Sequence, residues 1–194
     1  MFVQIIAYPH PTLRHVSKPI RRVDAELKQI IRDMFALMYE AKGIGLAANQ
    51  VNLPLRLFVM NLESDPDKGR ELVFINPVIS VPKGSAEAEE GCLSLPGLYG
   101  PVVRPKTVRI TAYGLDGKEL DINATDLLAR CVQHEVDHLD GVLFTDRMSA
   151  GAKADALEEI LDFEMIFNSQ RSTGNIPSDD VLAAERAEWE KKYC

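Results

Sequence analysis

The sequence predicts an α+β domain in which antiparallel or mixed β-sheets pack around a central, motif-bearing helix, with additional helices at the C-terminal end. Three observations lead there. Short runs of alternating or continuous apolar residues fill the middle of the chain, apolar residues at helical spacing flank them, and turns rich in glycine and proline separate the two kinds of segment.

The first element is an amphipathic helix, since Leu27, Ile30, Ile31, Met34 and Met38 recur at helical spacing up to about Gly43. Met34, Phe35 and Met38 read as core filling on its inner face. Residues 55–60 and 72–75 read as strands, the second stopped by Asn76-Pro77 because proline cannot donate to a ladder. In residues 107–113 Val108, Ile110 and Ala112 alternate with polar neighbours, and Gly114-Leu115-Asp116-Gly117 turns this strand toward a partner at 119–122. Leu127, Leu128, Cys131 and Val132 then give a helix one apolar side; Asn123 or Thr125 can cap it and Gly141 can close it. In the tail, Leu157, Ile160, Leu161 and Met165 predict one helix and residues 181–193 another, with a break at 172–177 and Trp189 as a packing anchor.

Composition narrows the function. A chain of 194 residues, 46% apolar, suits one domain with a real core. No apolar run approaches the roughly 20 residues of a membrane span, and residues 1–7 lack a basic start or long apolar stretch, so a cytoplasmic protein is expected. A net charge of −7 disfavours nucleic acid as a direct ligand, and the cluster of Lys18, Arg21 and Arg22 reads as a solvated face. Three cysteines without regular spacing argue against a disulfide framework, leaving Cys194 an incidental exposed thiol. His10 and His15, beside Pro9 and Pro11, read as loop histidines rather than ligands.

The most explicit chemistry lies in His134-Glu135-Val136-Asp137-His138. At about 100° per residue the two histidines stack one turn apart, so both imidazoles can hold one metal while Glu135 reaches its open side. A catalytic metal usually takes three protein ligands. Three residues are candidates for the third: Glu158 downstream, as in metallopeptidases with a Glu ligand; Cys131 on the same helix, although three ligands from one helix crowd the ion; and Cys92, after the permissive Gly91. A closed structural site with Cys131 as a fourth donor is the non-enzymatic alternative. Residues 43–50, Gly-Ile-Gly-Leu-Ala-Ala-Asn-Gln, pair small residues that admit a close backbone with an amide able to meet an oxyanion; a helix cap and a packed turn would use the same residues.

Together, Gly43-Ile44-Gly45-Leu46-Ala47-Ala48-Asn49-Gln50, Glu90-Gly91-Cys92-Leu93-Ser94 and His134-Glu135-Val136-Asp137-His138-Leu139 resemble the three signatures of the peptide deformylase family, in order and at its spacing. The resemblance runs from Met1 to about Met148, implying a catalytic domain over 1–148 and a helical extension over 149–194 packed on or flanking it. It implies that Cys92, His134 and His138 hold one divalent metal, Fe(II) foremost and Zn(II), Ni(II) or Co(II) as substitutes. It further implies Glu135 as general base and acid, Gln50 and the Leu93 N–H as oxyanion donors, and Ile44, Gly45 and Cys131 beside the substrate. Glu90, supported by Gly91, would pair with Arg104 behind the metal. The implied substrates are N-formyl-methionyl nascent peptides, met in transient association with the ribosome, with no membrane partner. Two positions depart from the family pattern: Arg130 stands where an apolar residue near the methionine pocket is expected, and Tyr99 where many relatives place an arginine on the substrate backbone. The tail is mixed to acidic, unlike the basic helix by which some relatives dock on the ribosome.

Overall fold

The computed structural model describes residues 3–194; Met1 and Phe2, the start of the segment read above for a leader, lie outside the described residues. In chain order the elements are α1 (Ala25–Glu40), β1 (Gly45–Ala47), β2 (Leu57–Met60), β3 (Leu72–Lys83), β4 (Ala86–Cys92), β5 (Leu95–Arg104), β6 (Thr107–Tyr113) and β7 (Glu119–Thr125). Helices α2 (Asp126–Leu139), α3 (Phe144–Arg147), α4 (Ala150–Asp155), α5 (Leu157–Ser172) and α6 (Asp179–Tyr193) follow. Short 3-10 turns at Pro11–Arg14 and Ala48–Val51 complete it. The strands form an antiparallel five-stranded sheet ordered β1-β2-β3-β6-β7 and a separate β4-β5 hairpin. This is the α+β arrangement that the alternation of segments predicts.

Each helix is placed by its apolar face. On α1, Leu27, Ile30, Ile31, Met34, Phe35 and Met38 are buried, and Asp24 accepts a hydrogen bond from the Leu27 N–H to cap it. Full burial of each such side chain is worth roughly 1.5–3 kcal/mol, far above the cap's contribution of about 1 kcal/mol. This face packs on Leu46, Leu57 and Val59, while Ala129, Cys131, Val132, Val136 and Leu139 of α2 pack on Phe58, Phe74 and Ile110. The motif helix is thereby held against the sheet. A third cluster joins Ile6 and Leu13 to Cys92 and Leu95 of the hairpin and to Phe144 and Ile160.

Three elements differ from the sequence expectation. Strand β3 continues through Asn76-Pro77 to Lys83 because Asn76 adopts φ 53° and its side-chain amide bonds both the N–H and the carbonyl of Ile20. A register shift between Ile75 and Val78 absorbs the proline, which is what a bulge permits. The β4-β5 hairpin has acidic residues along one strand and Pro96, Gly97, Gly100 and Pro101 along the other, so its sequence reads as loop although half of β5 faces the core. Finally, β7 runs to Thr125, which leaves Asn123 paired with Arg109 in the ladder and puts Thr125 at the cap position in extended backbone. Gly141 follows the helix at φ 73°, where a Cβ would lie 2.6 Å from the Arg14 carbonyl oxygen.

The tail packs on the same body. Ala156 and Ile160 join the hairpin cluster, Tyr193 is buried with α1, and Trp189 stacks on Tyr193 at 5.8 Å. Glu190 takes both His15 at 2.7 Å and Lys18 at 2.5 Å, so Lys18 is not simply solvated, and Cys194 is half-buried rather than exposed. His10 is buried and caps the first 3-10 turn by accepting from the Thr12 N–H at 3.3 Å. Burial first, then the charges of Arg186 and Arg171, push its pKa down to about 4. The unfolded chain therefore takes up the proton first, and stability conferred by neutral His10 is present above about pH 6.5 and lost as pH falls toward 4. Thermal denaturation across this window should show His10→Asn losing less stability than the parent, by a margin of the order of 2 kcal/mol; parallel curves would refute this.

Candidate metal centre and active site

Helix α2 sets the phase. His134 and His138 lie one turn apart, with their Nε2 atoms 3.2 Å from each other, and the Cys92 Sγ at the end of β4 sits 3.2 Å from His138 Nε2. The three ligand atoms all lie within 4.8 Å of one another, the one such cluster among the described residues. Glu158 lies on the exposed face of α5, and Cys131 turns to β1, its Sγ 4.0 Å from the Ile44 carbonyl oxygen. Neither belongs to the cluster, whose third member is Cys92.

The donor chemistry fits a metal ion. Glu90 Oε2 stands 3.0 Å from His134 Nδ1, a pairing that assigns the proton to Nδ1 and turns the Nε2 lone pair toward the cluster. Burial drives His138 well below its usual pKa, to the neutral imidazole. Burial lowers the His134 pKa, but its hydrogen bonds to Cys92 and Glu90 outweigh this and raise it to about 10, so a bound ion would displace one imidazole proton. A sulfur and two imidazole nitrogens suit a soft or borderline divalent cation such as Fe(II) or Zn(II) rather than Mg(II) or Ca(II).

Behind the ligands lies a buried ion network. Glu90, two residues before Cys92 on the same strand face, accepts from Arg104 Nε at 2.6 Å and Nη2 at 2.9 Å, and from Arg130 Nη1 at 2.5 Å. Burial pushes this carboxyl up, but the bonds to His134 and Arg104 outweigh it and hold the pKa at about 2. Arg104 also reaches Asp137 at 2.7 Å, and Asp137 binds Arg147 at 2.6 Å. Arg130 further donates to the carbonyls of Val102 at 3.0 Å and Ala86 at 2.8 Å. Its guanidinium thus ties α2 to the hairpin, unlike the pocket-side position expected for it; Cys131, one residue on and about 100° around the helix, faces β1 instead.

Two further polar groups adjoin these residues. Glu135 is 3% exposed and its Oε2 has no hydrogen-bond partner; burial raises its pKa to about 7 against the opposing charges of His134 and Arg104. A Cβ on Gly45 would fall 2.5 Å from Glu135 Oε1 and 3.1 Å from Cys131 Sγ, so only glycine lets β1 lie this close. Gln50, in the second 3-10 turn, is oriented by the Ala47 N–H, which donates to its Oε1 at 2.9 Å. Its Nε2 points to Cys92 Sγ at 3.3 Å and Ser94 Oγ at 3.2 Å. Leu93 occupies the hairpin turn between Cys92 and Ser94, its side chain packed beside Gly43. Ile44 leads into β1, and Tyr99, 62% exposed, pairs with Gly91 across the hairpin with its ring over that glycine.

Sequence reasoning missed Asp137, Arg147, Ser94 and Asn49, whose side-chain amide donates to the His138 carbonyl. Asp137 was detectable in principle, because it lies three residues after His134 on a helix whose flanking positions are apolar.

Similarity to known proteins agrees with this geometry. The profile of the family described as polypeptide deformylase matches residues 2–154. A peptide deformylase of Rhodopirellula baltica is 51% identical over 193 residues, covering 100% of this chain and 96% of the relative. Among solved structures, peptide deformylase 1B of Arabidopsis thaliana, in complex with an inhibitor, superposes with a TM-score of 0.83 at 41% identity, covering 91% of this chain and 96% of that one. A peptide deformylase from Legionella pneumophila gives 0.78 at 39% identity, covering 87% and 98%.

Proposed function

Since the chain belongs to the peptide deformylase family, we propose that it is a metal-dependent hydrolase that removes the formyl group from the N-terminal formyl-methionine of new polypeptides, releasing formate. The observation that carries this reading is the convergence of Cys92, His134 and His138 beside Glu135 and Gln50. Cys92, His134 and His138 would hold one divalent ion, Fe(II) in the cell, with Zn(II), Ni(II) or Co(II) able to replace it. That ion would supply Lewis acidity to the formyl carbonyl and acidity to the attacking water.

The chain's own groups do the rest. Glu135 accepts the proton of the attacking water and passes it to the departing amine, a role that its isolation from other partners leaves open. Gln50 Nε2 and the Leu93 N–H donate to the carbonyl oxygen as its charge grows. Ile44 and Gly45, at the start of β1, lie along the substrate backbone, Cys131 lines the methionine side, and Tyr99 meets residues beyond the first. Arg130, Arg104 and Gly91 act on Glu90 and the hairpin rather than on substrate. Among the described residues no helix is long and apolar enough to cross a membrane. Membership of the family supports action on nascent chains in the cytoplasm, transiently near the ribosome.

Formate release from a short formyl-methionyl peptide, with protein loaded anaerobically with Fe(II), tests the function. Release with all peptide bonds intact is expected; internal cleavage, or no reaction with the metal site filled, overturns it. In the same assay Gln50→Ala should lower kcat by about 10²–10³-fold, or ~3 kcal/mol, with little change in KM. A change confined to KM would place Gln50 in ground-state binding instead.

A further inference from the structure

A cavity of about 1090 Å³ lies away from the metal centre, between the N-terminal segment and the helices α5 and α6. Its floor includes Ile5 and Ala7, one wall is Phe163 and Ile166 of α5, and the other is Val181 and Trp189 of α6. At its mouth Ile166 is 56% and Val181 47% exposed, large apolar side chains left open among the described residues. The volume exceeds the roughly 300–1,000 Å³ of small-molecule sites. Two helices over an apolar floor make the kind of groove that takes the apolar face of an amphipathic helix.

Charge selects among occupants. Residues 149–194 carry five Lys and Arg against ten Asp and Glu, so this quarter of the chain holds −5 of the net −7. Glu185 and Glu188 of α6 line the cavity and are exposed; Glu188 has no cationic partner among the described residues. Of the nearby cations, Arg171 pairs with Asp179 at 2.6 Å, and Arg186 is half-buried and turned to Thr12 Oγ1 at 3.3 Å, leaving the exposed charge at the rim acidic. A second copy of this acidic chain, an anionic lipid and a nucleic acid would all meet charge of their own sign.

We propose that the cleft between α5 and α6 is a docking groove for a basic, amphipathic polypeptide segment of another protein. Its apolar residues would cover Ile166, Val181 and Trp189, and its Lys or Arg residues would meet Glu185 and Glu188. The floor of the groove is tied to the active site by the Ile6 N–H, which donates to the Gln50 carbonyl, and the Tyr8 N–H, which donates to that of Ser94, both at 2.9 Å. A docked segment would thus hold the partner one backbone strand behind Gln50.

Trp189 is the only tryptophan, so its emission reports on the groove directly. The probe is a synthetic amphipathic helix of about 18 residues with Leu on one face and Lys on the other, compared with the same peptide bearing Glu for Lys. The Lys peptide should give a saturable shift of Trp189 emission that weakens as salt is raised, and the Glu peptide none. Ile166→Asp and Glu188→Lys should each weaken binding by about tenfold or more, while hydrolysis of a short formyl peptide stays unchanged. Equal binding of both peptides, no saturable shift, or binding indifferent to both substitutions overturns the proposal. Sedimentation showing self-association that Ile166→Asp abolishes would assign the groove to a second copy and overturn it equally.

Discussion

Glu135→Ala should lower formate release by about 10²–10⁴-fold while the protein keeps its metal. The proposed ligands are Cys92, His134 and His138, and none of their hydrogen bonds runs through the Glu135 carboxylate. What the substitution removes is the buried carboxylate that follows His134, whose Oε2 has no hydrogen-bond partner among the described residues. Fold should suffer little, because a buried carboxyl whose pKa burial raises to about 7 costs the protein stability when ionised rather than adding to it. Metal content by elemental analysis, measured beside the rate, decides the matter: a full complement with near-normal activity would remove Glu135 from the mechanism. Loss of metal together with activity would recast it as part of the binding site.

Glu90→Ala should have the largest effect on stability, about 3–5 kcal/mol, and weaken metal binding by about 10–100-fold. Arg104, with its side chain only 4% exposed, would keep Asp137 but lose both bonds to Glu90, and Arg130 would lose its one anionic partner among the described residues. Removing one member of a buried ion cluster leaves the others desolvated and unpaired, which costs more than the pair contributed. His134 would also lose the group that assigns its proton to Nδ1. Denaturant titration of the metal-free protein separates the two effects from a metal competition assay. Glu90→Gln, which keeps the shape and one acceptor, should recover part of the stability but little of the charge pairing. If Glu90→Ala unfolds at the parent's denaturant midpoint, the network is energetically idle.

How much of this was legible beforehand depended on whether neighbours in sequence were neighbours in space. The faces of α1 and α2 were readable because helical spacing alone decides which side chains share a side, and burial follows the apolar stripe. The β4-β5 hairpin was not, since its acidic and glycine-proline-rich strands carry no apolar alternation that local reading can detect. Asn76-Pro77 misled for a related reason: a side-chain bond to Ile20, 56 positions away, supports the left-handed residue that lets β3 continue. Arg130 shows the same limit at the site. Its position on the helix was known, but which of two adjacent surfaces its guanidinium reaches was settled by the carbonyls of Ala86 and Val102 on the hairpin.

By itself the sequence determined the helix that stacks His134 over His138, the carboxylate beside them and the acidic balance of the tail, because each is a matter of local geometry or of counting. Only the tertiary structure brought Cys92, 46 positions away in sequence, to 3.2 Å from His138 and put Glu90 at the centre of two arginines and an imidazole. It alone formed the cleft between α5 and α6. Those features depend on how hairpin, sheet and helices close on one another, and closure is driven by burial of apolar area, a non-directional force whose outcome no single segment encodes.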